Sequence, residues 1–332
     1  MTGPKAATAT PAARKEPAAA STGKGSLVGS LGALFSASEP AARSDSEDAV
    51  LGNFRDAELA MNACVALRPQ YPRGYELRGR SMVMQALRMR QEAASLSKES
   101  KSQRRTLDFA AELERRGRND FDRALELAPQ DPIVHWARAQ TFGDLGQHDA
   151  ALSEYARAME LDRPLERLTG QTWVVLAREY LVRLTTSPEG RSRAKAWGLL
   201  ALANQMLSAK DDQRESARYH QAAIEAVDRA LQIDAHECLA LTVRGELELD
   251  RSAAQKALTD FEAALAGNAK YYLAASGRAR SLEALGQSDA ALQAWRDMEK
   301  NVAQTDWQRQ ETAQACQRIL ALRETATPPA AR

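Results

Sequence analysis

GQHDAALSEYARAMELD, residues 146 to 162, decides the fold. Its glycine ends one helix, and five residues later Ala151 opens a set of inward positions, Ala151, Tyr155, Ala158 and Leu161, spaced by four, three and three. That spacing is the buried stripe of an amphipathic helix. Small residues at 151 and 158 let a neighbouring helix come close, and Tyr155 fills the space between them. Just upstream, PIVHWARAQTFGDL (132–145) supplies the partner, with Ala139 and Phe142 placed to meet it. The two helices form a hairpin of about 34 residues, a unit that needs stacked neighbours to bury its apolar face.

Recurrence decides what such a hairpin means. Cys238 and Tyr272 begin two more at the same period of about 34. The first carries Gly245, Ala257, Phe261 and Ala264 in register, the second Ala279, Leu282, Gly286, Ala291, Trp295 and Met298. Second-helix signatures also stand in AMNACVALRPQYP (60–72), FDRALELAPQDP (121–132) and VDRALQIDA (227–235). A small residue and an aromatic on one helix, followed by Ala, aromatic, Ala and a closing turn on the next, resembles the tetratricopeptide repeat. The resemblance covers most of Ser46 to Lys300. It implies an all-α, right-handed superhelix (a solenoid) of about six helix pairs, and a protein that binds protein or peptide segments without catalysis.

Two stretches break the period. Pro72 and Pro132 are 60 residues apart, yet the landmarks Gly79 and Ala124 are both present, so the surplus lies between them. It is expected as extra turns on both helices of a long hairpin with a polar tip near SLSKESKSQ (95–103). Residues 166–237 hold three helices, about Gly170 to Leu184, Gly190 to Ser208 and Asp212 to Gln232. The last two are expected to pair, with Gly198 and Ala230 at the landmark positions. The helix with Trp173, Val174, Leu176, Tyr180 and Leu181 is then either a first helix without its partner or an inserted packing helix.

At the ends, Ser46 N-caps a helix that turns Val50, Phe54, Ala57, Met61 and Cys64 inward. DWQRQETAQACQRILALRE (306–324) gives a C-terminal capping helix with Trp307, Ala315, Ile319 and Leu322 inward, since a solenoid must cover its last repeat. The expected division is a tail at 1–45, the repeat domain at 46–323 and a frayed end at 324–332. The tail, rich in Ala, Pro, Ser, Thr and Gly, carries too little apolar surface to offset ordering entropy. One island in it, Leu27, Val28, Leu31, Leu34 and Phe35, has helical spacing and could dock on a groove.

Composition narrows the function. With 45 basic and 44 acidic residues the chain lacks the charge excess of a protein built to grip a nucleic-acid backbone. No apolar run approaches the roughly 20 residues that span a bilayer, and no secretory signal precedes the domain. A cytoplasmic protein without membrane insertion is expected. Cys64, Cys238 and Cys316 form no CxxC pair, and the four histidines offer no two ligands on one helix face. No metal, cofactor or catalytic constellation is expected. TGKGS (22–26) lacks the spacing of a phosphate loop.

In the resembled family the first helices line a concave groove. Its groove positions fall on Arg73, Glu76, Arg80 and Met84; on Ile133, Trp136, Gln140 and Asp144; on Leu239, Thr242, Glu246 and Asp250; and on Leu273, Ser276 and Arg280. Chaperone-binding members carry a Lys and Asn clamp there. Trp136 and Thr242 stand here where the first Lys would, and Gln140 and Glu246 where the first Asn would, so the tails of large cytosolic chaperones are not the expected ligand. Two other readings follow from the same residues. One is a nucleic-acid or ribonucleoprotein factor using the Arg-rich hairpin (Arg73, Arg80, Arg88), the other a regulatory subunit that assembles an enzyme complex.

Overall fold

The computed structural model describes residues 45–98, 100–162, 172–188, 190, 193–208 and 213–326. The island at Leu27 to Phe35 therefore lies outside the described residues. The chain divides at Asp48 into two units, and the array is the second, Ala49–Arg332. Among the described residues every element is a helix. They are α1 (Asp45–Leu67), α2 (Pro72–Ser95), α3 (Lys101–Leu127), α4 (Pro132–Asp144), α5 (His148–Leu161), α6 (Thr172–Thr186) and α7 (Ala194–Ser208). There follow α8 (Gln213–Ile233), α9 (Cys238–Asp250), α10 (Ala254–Gly267), α11 (Tyr272–Ala284), α12 (Ser288–Asn301) and α13 (Asp306–Ala326).

The helices begin and end where local chemistry says they should. Pro72 and Pro132 occupy first turns, where a missing N–H costs nothing. Asp131 accepts from Ile133 N at 2.9 Å, Ser100 from Gln103 N at 3.1 Å and Glu237 from Ala240 N at 2.7 Å, each covering an orphan donor. After α4, Gly146 (φ 71°) turns the chain left-handed; its N–H reaches Gly143 O at 3.0 Å while Gln147 N–H reaches Phe142 O at 2.8 Å. That is a Schellman turn. Gly286 (φ 72°) repeats it after α11, and Ser252 (φ 61°) repeats it after α9, although serine carries a β-carbon.

Pairing follows the expected register. α2 with α3, α4 with α5, α7 with α8, α9 with α10 and α11 with α12 are the hairpins, and among the first helices α2 touches α4, α7 touches α9 and α9 touches α11. The second-helix aromatics Phe121, Tyr155, Phe261 and Trp295 are all at most 1% exposed, one in each of four pairs. α2 and α3, of 24 and 27 residues, form the long hairpin. They come close at Gly79 and Gly117, where a β-carbon on either would sit 2.7 Å from the other's carbonyl oxygen.

Three details depart from the sequence reading. Gly198, expected to admit α8, admits α9 instead: its missing β-carbon leaves room for the Glu237 carboxyl and for Leu239 Cβ, 3.1 Å from where that carbon would be. Leu322 is exposed, because α13 has 21 residues and its neighbour α12 only 14, so its last turns outrun the layer beneath. The helix also continues to Ala326. α6 resolves as an inserted packing helix: it lies against α4 and α7, while α7 pairs with α8. Tyr180 locks it in place, its ring 5.2 Å from that of Tyr155 and its hydroxyl 2.9 Å from His148 Nδ1.

Candidate functional site: the wall of first helices

On α2 and α4 the face predicted for a partner is dense and only partly open. The Arg80 guanidinium stands over the Trp136 ring, 5.6 Å from its centroid, and both residues are buried. A stacked guanidinium over an indole is worth about 2 kcal/mol when desolvated. Burial holds the Arg80 group below its ordinary range, against the pull of Glu76 and Asp144. Burial likewise pushes the Glu76 carboxyl up, although Arg73 lies 3.2 Å away. Two polar atoms of α4 have no hydrogen-bond partner among the described residues, Trp136 Nε1 and Gln140 Oε1. They stand one helical turn apart, a donor and an acceptor. The Tyr155 hydroxyl behind them is in the same position. Met84 and Ile133 are half-buried. Arg73 and Ile133 meet in a cavity of about 360 Å³ that Asp131, Asp162 and Trp173 also line.

On α9 and α11 the predicted residues fall into two kinds. Leu239, Thr242 and Ser276 are core, and the two hydroxyls bond their own helices, Thr242 to Cys238 O at 2.7 Å and Ser276 to Leu273 O at 3.1 Å. Leu273 is half-buried. Glu246 and Arg280 form an ion pair between α9 and α11, and Asp250 is exposed one turn further along α9. The structure thus joins Arg80 to Trp136, Arg73 to Ile133 and Glu246 to Arg280.

What the sequence reading missed is a contact that ties these helix ends together. Before α13, Thr305 and Gln308 cap each other: Gln308 N–H bonds Thr305 Oγ1 at 3.2 Å and Gln308 Oε1 accepts from Thr305 N. This reciprocal arrangement is a capping box, legible as T-x-x-Q at 305–308. It presents two donors to the end of α5. Trp307 Nε1 bonds Leu161 O at 3.0 Å and Gln308 Nε2 bonds Glu160 O at 3.4 Å. Glu160 in turn accepts from Tyr272 N at 3.2 Å, and the Tyr272 ring meets Trp307 edge-on at 5.3 Å. Gln304 adds bonds to Arg157 and, through its carbonyl, to Gln130. The last carbonyls of a helix lack internal partners; here residues far along the chain supply them.

Charged residues elsewhere are mostly matched. On the long hairpin Arg78 holds Asp120 at 2.7 Å, and Arg90 and Arg118 share Glu114. Arg116 reaches Glu58 on α1 at 3.4 Å. His135 bonds Glu154 at 2.7 Å. Among the described residues no group of three His, Cys, Asp or Glu could hold a metal ion, and no helix is long and apolar enough to cross a membrane.

Comparison with known proteins agrees with the hairpin that opened the reading. Residues 134–164, which hold most of α4 and all of α5, match the family model for the tetratricopeptide repeat. No curated protein matches the chain. Among solved structures, the chain is similar to yeast Tom70 at 14% identity and a TM-score of 0.35, over 86% of this chain and 63% of that one. It is similar to TTC0263, a thermophilic TPR protein of Thermus thermophilus, at 19% identity and 0.37, over 70% and 98%. It is also similar to human IFIT1, solved as a dimer with PPP-AAAA, at 14% and 0.39, over 82% and 60%. This chain therefore spans less than two thirds of Tom70.

Proposed function

We propose that this chain, with its tetratricopeptide repeat at 134–164, is a non-catalytic scaffold whose first helices hold a segment of a partner protein. The observation that supports this most directly is the open cavity of about 360 Å³ that Arg73, Asp131, Ile133, Asp162 and Trp173 line at the N-terminal ends of α2 and α4. It sets polar and apolar surface side by side, which is what a peptide with its backbone C=O and N–H groups and its side chains can fill. The internal pairing of the hairpin arginines weighs against a nucleic-acid surface there, because a guanidinium already matched to a carboxylate releases few counterions on binding.

The test is capture from an extract of the source cells by the full chain. Partners should be lost when Arg73 and Gln140 are changed to Ala, and kept when Arg229 and Lys256, exposed on second helices, are changed instead. Capture that survives the first pair, or fails equally with the second, would sink the assignment of the groove. Capture that collapses on nuclease treatment and moderate salt would point to nucleic acid instead.

A further inference from the structure

The cavity at the N-terminal ends of α2 and α4 is not built by those two helices alone. Arg73, Pro132 and Ile133 come from them, but Gln130 stands in the turn before α4, Asp162 caps the end of α5, and Trp173 lies in the first turn of α6. These outer pieces are held from the far end of the chain. Gln130 Nε2 donates to the Gln304 carbonyl at 2.6 Å, across 174 residues. The same carbonyl accepts from Arg309 at 3.0 Å, the Gln304 N–H bonds Gln308 Oε1 at 2.7 Å, and the Gln304 side chain accepts from Arg157 on α5. Gln304 is therefore a junction between the α3–α4 turn, α5 and the capping box of α13. The other piece hangs on two indoles. Trp307 Nε1 bonds Leu161 O at 3.0 Å, and at the next residue the Asp162 carboxylate accepts from Trp173 Nε1 at 2.9 Å. A last helical turn whose carbonyls lack partners frays. Here that turn carries the carboxylate that fixes Trp173, itself 3% exposed and part of the cavity lining.

We propose that residues 304–308 position this cavity: Gln304 holds Gln130, Trp307 holds the end of α5 that in turn holds Trp173, and the cavity keeps its binding shape only while α13 is seated. This rests on the reading of the cavity as the place where a partner segment binds, and assigns to it positioning residues that lie outside it. Neither Gln304 nor Trp307 lines the cavity. Their effect is on affinity, because a lining that is ordered beforehand removes the cost of ordering it from the cost of binding. By reciprocity, a peptide in the cavity tightens the contact between α5 and α13.

The probe is a fluorescein-labelled peptide selected on the full chain from a phage-displayed random library, and kept if Arg73→Ala weakens its binding. Affinity is read by fluorescence polarisation below the melting range of every variant, with circular dichroism as the check that each is folded. Trp307→Phe, which loses the donor to Leu161 O, and Gln304→Ala, which loses the acceptor for Arg157, should each bind the peptide about tenfold more weakly. Gln304→Glu keeps an oxygen for Arg157 and should bind as the wild type does. Leu113→Ala, a truncation in the separate core of the long hairpin, lowers stability away from this contact and should leave affinity unchanged. In the free chain, the 19F line of 5-fluorotryptophan at position 173 should move in Trp307→Phe and Gln304→Ala and stay in the other two. Wild-type affinity in both Trp307→Phe and Gln304→Ala, or equal weakening in Leu113→Ala, overturns the positioning role and leaves the cavity standing. If no selected peptide depends on Arg73, the cavity reading falls, and an unmoved Trp173 line then overturns the positioning as well.

Discussion

Gly277 of α11 lies directly on the ring of Phe261 in α10: a β-carbon there would overlap Cε1 and Cζ and stand 2.7 Å from Cε2. The same ring tip meets Gly245 of α9, where a β-carbon would stand 2.8 Å from Cζ. One phenyl ring thus spaces three helices, and two glycines make it possible. Gly277→Ala should destabilise by about 1–3 kcal/mol through overpacking, even though Ala gains about 1 kcal/mol in helix propensity. Gly267→Ala is the control, since nothing lies within 4 Å of that position. A Gly277→Ala protein that melts with the wild type would mean that the ring can move aside.

Ser252 does in a strained conformation what Gly146 and Gly286 do freely. A left-handed residue with a β-carbon costs about 1–2 kcal/mol, partly offset in a Ser→Gly exchange by the greater freedom of glycine when unfolded. Ser252→Gly should therefore raise stability by about 0.5–1 kcal/mol, whereas Gly286→Ala should lower it. Denaturant midpoints that do not move in opposite directions would show that the three turns are not equivalent.

Glu237 makes stability depend on pH. Burial pushes its carboxyl up from 4.5 to about 7, although the Ala240 and Leu239 amides pull it down. Folded chains therefore hold this proton more tightly than unfolded ones, so the contribution is full below about 4.5 and is lost as pH rises through about 7. Glu237→Gln keeps an acceptor for Ala240 N without a charge. Its stability should match wild type at pH 4 and exceed it increasingly up to pH 8. An advantage that is the same at both pH values would place the cause elsewhere.

The capping box at 305–308 can be tested at the helix it serves. Trp307→Phe keeps the ring against Tyr272 but removes the donor to Leu161 O, leaving a carbonyl unsatisfied at a cost of about 1–3 kcal/mol. Gln308→Ala should cost at least as much, because it also breaks the box. Arg309→Ala, an exposed i,i+3 pair with Asp306, should change stability by less than about 1 kcal/mol. Faster amide exchange in the last turn of α5, in the first two variants and not the third, is the expected signature.

Where the chain was regular, the sequence was enough. Ala151, Tyr155 and Ala158, and their counterparts around Phe261 and Trp295, gave helix, pairing and register because each sits at a contact between neighbours in the repeat. Gly277 was passed over in favour of Ala279: both are small, and only the helix crossing decides which one meets a ring. The groove positions were carried over from the repeat pattern one helix at a time. That pattern places a residue on a face and says nothing of depth, so Thr242 and Ser276, which bond their own helices, looked like Glu246 and Arg280, which do not. Trp307 was expected inward against the last repeat. Its partner on α5 was out of reach of any local pattern, because periodicity reports neighbours and this contact joins residues 146 apart.

That separation sets an order of events on the ribosome. A chain emerging at about 5–20 residues per second completes α5 roughly 7–30 s before Trp307 exists to cap it. For that interval the hairpin matched by the repeat model has a bare carboxyl end. α13 thus completes a helix end that the chain laid down about 146 residues earlier.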